Sequence, residues 1–290
     1  MLTSRGDQVL AIDDLSSGKE RMDLLKSWGV ETEVGDIRSL ETNSVITAFQ
    51  PDVICHLAAQ IDVRKSVEDP VLDADINILG LLRVLEAAKR AEARVVFASS
   101  GGTIYGEVDP ANLPVSEEAQ GRPVAPYGIS KKVADDYLHF YRNTFGVRFV
   151  SLALANVYGP RQDPHGEAGV VAIFASKLLA GEPCVIYGDG EQTRDFVFVG
   201  DVADAFLSAI ESGDGETINV GTSNETSVVE LYRILAEAAD ESRRAKHEPE
   251  RPGELRRSAL SIEKAQRVLG WAPKTKLHEG LTTTLDSFRA

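Results

Sequence analysis

Four short runs in the first half of the chain are apolar at successive positions rather than at alternate ones: QVLAI (8–12), VICHLAA (53–59), RVVFASS (94–100) and RFVSLALA (148–155). A strand with one wet face alternates; a strand apolar throughout is buried on both faces, as when helices cover both sides of a parallel sheet. The stretches between the runs carry helical patterns near 19–28, 39–49, 71–91 and 127–145. The alternation predicts an α/β fold with a doubly wound parallel sheet, in which ligands sit at the carboxyl ends of the strands. After about residue 160 the rhythm changes. A Gly/Pro-rich stretch, YGPRQDPHGEAG, leads into an apolar helix, then CVIYGDGEQTRDFVFV, shorter elements, the helix SIEKAQRVLGW and a terminal helix. The expected division is a sheet domain over 1–160 and a smaller lobe over 161–290, with some segments of the lobe returning to the sheet.

Charge narrows the partners. The 45 acidic residues against 31 basic ones leave a formal charge of −14, which repels phosphate backbones and anionic membrane surfaces, so neither nucleic acid nor membrane is expected. Local arginines can still hold a small anion. Cys55 and Cys184 each lie in an apolar run, as two buried thiols of a reducing compartment would, and the 5 histidines show no ligand spacing, so no metal is expected. Without a run of about 18 apolar residues or a basic-then-apolar leader, the expectation is a soluble, cytoplasmic protein.

The strongest chemical candidate is PYGISKKVADDY. Tyr127 and Lys131 are four residues apart at a helix start, so both side chains emerge on one face. A phenol with a reference pKa near 10 is a poor base at neutral pH, and bringing it down by about 3 units needs roughly 4 kcal/mol of differential interaction. A neighbouring ammonium and a second positive charge could supply that, and the phenolate could then take a proton from a sugar hydroxyl as hydride leaves its carbon. About 25 residues upstream, a strand ends in the hydroxyl- and glycine-rich loop FASSGGTIYG. Asp13, after the first run, stands where a dinucleotide-binding domain places the acid that holds the adenine ribose.

Taken together in this order, HLAAQIDVRKS, SSGGTIYG, PYGISK and TRDFVFVGDVADA resemble the extended short-chain dehydrogenase/reductase superfamily, and more narrowly the UDP-glucose (UDP-galactose) 4-epimerase family, from residue 8 to the C-terminus. The resemblance implies a Rossmann-like sheet domain, bound NAD, a UDP-sugar substrate interconverted at C4 through a 4-keto intermediate, and a homodimer through the helices at 71–91 and 127–145. It makes Tyr127 the base and Lys131 its partner on the nicotinamide ribose. The usual third member is a serine whose position holds Gly101, so either Thr103 or Ser100 supplies the hydroxyl. Cofactor contacts are implied for Asp13, Asp14, Ser17, Gly18, Asp36, Ile37, Leu57, Ala58, Ala59, Asn77 and Ser99. Nucleotide-sugar contacts are implied for Asn156, Val170, Tyr187 (stacked on uracil), Arg194 and Arg251 (on the diphosphate), Glu254 (on the uridine ribose) and Ser258, whose small size leaves room for a 2-acetamido group. Related dehydratases carry an Asp-Glu pair near Gly102 and Thr103; its absence argues for epimerisation, with a decarboxylase less favoured.

One element of the family pattern has no counterpart. Members begin with a strand and a Gly-x-x-Gly-x-x-Gly turn that holds the pyrophosphate, whereas Gly6 alone precedes the first apolar run here. The expectations are a shortened or mis-assigned start, a catalytically silent nucleotide-sugar-binding relative, or a partner that fills the gap, and in each case weak affinity of this chain for NAD.

Overall fold

The computed structural model describes residues 1–164, 169–251 and 255–289. A short helix, Leu2–Arg5, precedes β1 (Leu10–Asp13), helix Glu20–Ser27 and β2 (Glu31–Val34). β1 and β2 pair in parallel, with Asp13 opposite Val34 at their carboxyl ends. Ser39 caps helix Leu40–Phe49 by accepting from Thr42 N, and the chain then enters β3 (Val53–His56). With β4 (Arg94–Ser100), β5 (Phe149–Leu154) and the strand Glu216–Val220 it forms a four-stranded parallel sheet, ordered Glu216–Val220, β5, β4, β3. Among the described residues, neither β1 nor the outer edge of β3 pairs with a further strand, yet Ile12 and Ile54 pack into one cluster with Ile46, Val84 and Ala87.

Apolar residues at successive positions behave as the pattern requires. Val96 faces Val150, Leu152, Ile218, Val202 and Trp271, while its neighbours Val95 and Phe97 face Leu81, Leu85, Leu138 and Phe149 on the other side. Each face of β4 is thus a core, and two helical layers are needed to cover it. The remaining large core lies in the lobe, where Phe174, Ile186, Leu231, Leu235, Leu281 and Leu285 pack together. Strand Glu216–Val220 and helix Val199–Glu211 return to the sheet, so the lobe is interleaved with it.

Two elements differ from the sequence expectation. The run 53–59 leaves the ladder after His56, and Leu57 is 61% exposed in the loop that follows. The helical stretch expected over 71–91 is built from helix Pro70–Ala74, a π-helical turn Asp75–Leu79 and helix Gly80–Ala91. A π turn reads as helix in the pattern, because helical segments continue on both sides of it; such turns concentrate at functional sites. Gly80 follows it because a Cβ there would stand 2.6 Å from Ile37 Cδ1. No helix among the described residues is long and apolar enough to cross a membrane.

Candidate active site

Tyr127 and Lys131 sit in the first two turns of helix Pro126–Phe145, which starts on a proline at its first position, where the missing N–H costs nothing. Both are buried, at 9% and 4% exposure. Lys131 Nζ donates to Ala98 O at 2.8 Å and lies 4.6 Å from the Phe97 ring centroid and 5.8 Å from that of Tyr127. Tyr127 N donates to Ser66 Oγ at 3.2 Å, which ties the helix start to helix Val63–Glu68.

The two candidates for the third hydroxyl are placed differently. Ser100, at the end of β4, lies near enough to the Tyr127 phenol to act on it in the sense that favours the phenolate. Thr103 Oγ1 instead donates back to Ser100 O at 3.3 Å. Gly101 is glycine for a steric reason: a Cβ there would collide with Leu260 Cδ1 and stand 3.0 Å from Ala153 O. The position that usually carries the serine has no room for one.

The electrostatics differ from the expectation that Lys131 lowers the phenol. Burial pushes Tyr127 up to about 12, the Asp73 charge adds to this, and the nearby Ser100 hydroxyl opposes it. Lys131 is itself brought down to about 8 by burial, with Asp73 and Asp135 pulling the other way. The physical reason is that apolar walls desolvate both groups and the ammonium is committed to the Ala98 carbonyl. His56, fully buried and stacked on Phe97 at 5.7 Å, is pushed down to about 3 by burial and by Lys131, so it is a neutral wall of this site.

The residues assigned to a dinucleotide gather at carboxyl strand ends. Asp13 Oδ1 accepts from Leu15 N at 2.7 Å and Asp14 Oδ1 from Ser16 N at 2.9 Å, which shapes the turn through Ser17 to Gly18, where φ is +96°. Asp36 is turned to Arg38, which holds its carboxyl below the usual range and also reaches Asp75 at 2.7 Å. Ile37 packs with Ile12 and Ile54. Leu57 and Ala58 are exposed and Ala59 half-buried in the loop after β3. Asn77 is buried within the π turn: its Oδ1 accepts from Gln60 N and its Nδ2 donates to Gln60 O, each at 2.9 Å, so it shapes that loop. Ser99 is 3% exposed and its Oγ is a buried atom with no hydrogen-bond partner. A buried hydroxyl without a partner beside an exposed apolar loop suits a ligand with one polar and one flat apolar face, as a nicotinamide riboside has.

The lobe contributes a second group. Asn156, at the start of strand Asn156–Tyr158, faces the SSGG loop, since a Cβ on Gly102 would lie 3.6 Å from its Oδ1. Arg194 Nη1 donates to Thr193 O at 2.7 Å. Beside it, Asp195, which sequence reasoning quoted only within its motif, is 1% exposed and accepts from Thr222 N (2.8 Å), Thr222 Oγ1 (2.6 Å), Ser223 N (3.1 Å) and Leu260 N (3.2 Å). This carboxylate pins the loop after strand Glu216–Val220 to the segment that carries Ser258, itself 8% exposed. The guanidinium carbon of Arg251 lies 3.5 Å from the Tyr187 ring centroid, so one face of the ring expected to stack on a base is already covered by a cation. Val170 is half-buried at the first position of helix Val170–Leu179. Glu254 lies outside the described residues. Among the described residues no group of three or more His, Cys, Asp or Glu is placed to hold a metal ion.

Reasoning from sequence missed Gln60, Asp73, Ser130 and Arg38, which hold the site from behind. Gln60 and Ser130 stood within quoted motifs, but nothing in the pattern distinguishes a buried partner from a surface polar residue.

Comparison with known proteins now bears on this geometry. Residues 1–284 match the family described as GDP-mannose 4,6 dehydratase. The UDP-glucose 4-epimerase of Mycolicibacterium smegmatis is 46% identical over 292 residues, covering 99% of this chain and 93% of that protein. The crystal structure of the Thermotoga maritima UDP-glucose 4-epimerase with UDP-glucose superimposes with a TM-score of 0.95 at 41% identity, covering 99% of this chain and 93% of that one. The Thermus thermophilus UDP-glucose 4-epimerase in complex with NAD gives 0.92 at 43% identity, covering 100% of this chain and 93% of that one. The chain belongs to the GDP-mannose 4,6 dehydratase family of extended short-chain dehydrogenases/reductases, and within it to the UDP-glucose 4-epimerase group; it is an isomerase of the nucleotide-sugar epimerase type.

Proposed function

We propose that the protein interconverts UDP-glucose and UDP-galactose by NAD-dependent epimerisation at C4. The observation that carries the reading is a trio at one strand end: the buried Tyr127 phenol and Lys131 ammonium on one helix face, with Ser100 at the end of β4 acting on the phenol. Asp13, Leu57, Ala58, Asn77, Ser99 and Lys131 would hold NAD, which when bound supplies the hydride acceptor and, in its oxidised form, the second positive charge that a phenol at about 12 needs.

The chain's own groups then divide the work. Tyr127 takes the proton from the sugar 4-hydroxyl as C4 gives up hydride, which leaves a 4-ketone; after the ketone presents its other face, C4 takes hydride back on that face as Tyr127 returns the proton to O4. Ser100 donates to the phenolate oxygen and so stabilises the ionised form. Buried Lys131 contributes its charge without competing as a base, because the amine must first lose a proton held with a pKa of about 8. On the lobe, Arg194 and Arg251 suit the diphosphate, Tyr187 and Arg251 the uracil, and Asn156 the sugar beside the SSGG loop. Gly102 and Thr103 put no carboxyl near C5 and C6, which leaves dehydration without its acid and base. Ser258 leaves room for a 2-acetamido group, so UDP-N-acetylhexosamines are accepted as well.

Exposed Val67, Val71, Leu79, Ile129 and Phe140 lie on the adjoining helices 63–91 and 126–145, and they support a homodimer through those helices. Light scattering of the purified protein would read a monomer if that is wrong. For the reaction, purified protein supplied with NAD and UDP-galactose is expected to yield UDP-glucose, and Tyr127→Phe to abolish it. Wild-type protein that binds NAD yet leaves UDP-galactose unchanged overturns the reading.

A further inference from the structure

Behind the trio lies a second buried charge with no role in the chemistry described so far. Asp73, on helix Pro70–Ala74, is 0% exposed. Its Oδ1 accepts from Gln60 Nε2 at 3.0 Å and from Asn77 Nδ2 at 2.9 Å, and its Oδ2 accepts from Ser130 Oγ at 2.6 Å. All three donors are neutral, and no cation forms an ion pair with this carboxylate among the described residues. An isolated buried carboxylate is expensive, so its retention calls for a compensating function or charge.

The orientation of the donors is forced. Gln60 Oε1 is occupied by Asp62 N at 2.5 Å, and Asn77 Oδ1 by Gln60 N at 2.9 Å, so both amides must turn NH₂ groups toward position 73. An acceptor-only group meets that demand. The three donors come from different elements: Gln60 from the loop after β3, Asn77 from the π turn and Ser130 from the helix that carries Tyr127 and Lys131, between the two. The π turn brings Asn77 inward beside Asp73. Asp73 therefore joins the loop beside the dinucleotide face to the catalytic helix, meeting it at Ser130, the residue before Lys131.

We propose that Asp73 is the positioning residue and buried counter-charge of the catalytic pair: through Ser130 it fixes the helix carrying Tyr127 and Lys131, and its carboxylate keeps the Lys131 ammonium protonated in an apolar site. The catalytic part of this rests on the epimerase reading above; the charge coupling does not. The other titratable groups around Lys131 are Tyr127 and Asp135 on its own helix and His56 at the end of β3. His56 is neutral, and Asp135 lies on the catalytic helix itself, so Asp73 is the acid that acts on the pair from a separate element. Its influence is consistent with the burial-lowered Lys131 and raised Tyr127, on each of which it acts toward the protonated form.

Asp73→Asn separates charge from shape, because the amide oxygen can still accept from Gln60 and Asn77 while its NH₂ donates to Ser130 Oγ. The test titrates the protein with ¹³C-labelled lysine by NMR, using Lys131→Met to assign the resonance, beside pH profiles of kcat for UDP-galactose. Asp73→Asn is expected to move the Lys131 midpoint down by about one unit or more, as removal of a unit charge across several ångströms of low-dielectric protein should. Both limbs of kcat are expected to move to lower pH, the alkaline one with Lys131 and the acidic one because the charge that opposes ionisation of Tyr127 is gone, with KM little changed. Ser130→Ala retains the charge and is expected to lower kcat with the Lys131 midpoint in place; this variant carries the test if Asp73→Asn does not fold. A folded Asp73→Asn protein with an unmoved midpoint overturns the proposal, as does a midpoint that moves in Ser130→Ala. A shifted midpoint in a protein without epimerase activity upholds the charge coupling and removes the epimerase reading instead.

Discussion

Replacing Ser100 by alanine tests which hydroxyl completes the trio. Ser100 favours ionisation of the Tyr127 phenol, against burial and the Asp73 charge, as a hydroxyl that donates to the phenolate would. A hydrogen bond to a charged partner contributes about 1.5–3 kcal/mol, and each 1.36 kcal/mol is tenfold in rate, so Ser100→Ala should lower kcat by about tenfold to a hundredfold. The pH dependence has a defined sign. Tyr127 acts as a base only when ionised, and loss of a donor to the phenolate raises its pKa, so the acidic limb of kcat should move to higher pH. Thr103→Val removes a hydroxyl that donates to Ser100 O at 3.3 Å and should cost less than about threefold. The assay couples UDP-glucose formation from UDP-galactose to UDP-glucose oxidation at saturating substrate, from pH 6 to 9. If Thr103→Val costs as much as Ser100→Ala, or if the limb moves to lower pH, the assignment of Ser100 is wrong.

Two further outcomes are expected. Gly101→Ser, which restores the residue usual at that position, should destabilise the fold by about 1–3 kcal/mol in urea titration, because its Cβ meets Leu260 and the Ala153 carbonyl; unchanged stability would show that the loop yields freely. Asp135 is held up at about 6 against an ordinary 3.8, chiefly by burial, so its contribution to stability is full below about pH 4 and is lost as pH rises through 6; Asp135→Asn, which still accepts from Ser151, should raise Tm at pH 8 and not at pH 4, and an equal effect at both would refute this.

Much of the site was legible because it depends on local geometry. Tyr127 and Lys131 share a face in any α-helix, and the loop FASSGG must emerge at a carboxyl strand end once RVVFASS is a parallel strand. The behaviour of Tyr127 was not legible, since its pKa depends on burial and on Asp73, 54 positions away in the chain, rather than on the lysine one turn along. Tyr187 shows the same limit: its aromatic character was evident, but the guanidinium covering one face comes from Arg251 on a separate segment.

The sequence by itself determined the layered α/β architecture, through strands apolar at every position, and the pairing of Tyr127 with Lys131, through the helical repeat. Both follow from periodicities of 2 and 3.6 residues, which are properties of short segments. Only the tertiary structure decided that Thr103 turns back to the Ser100 carbonyl, that Leu260 keeps position 101 a glycine, and that Asp73 stands behind the catalytic helix. The last two rest on excluded volume, desolvation and hydrogen bonds between segments tens to more than a hundred residues apart, and such contacts exist only after the chain has closed around its core.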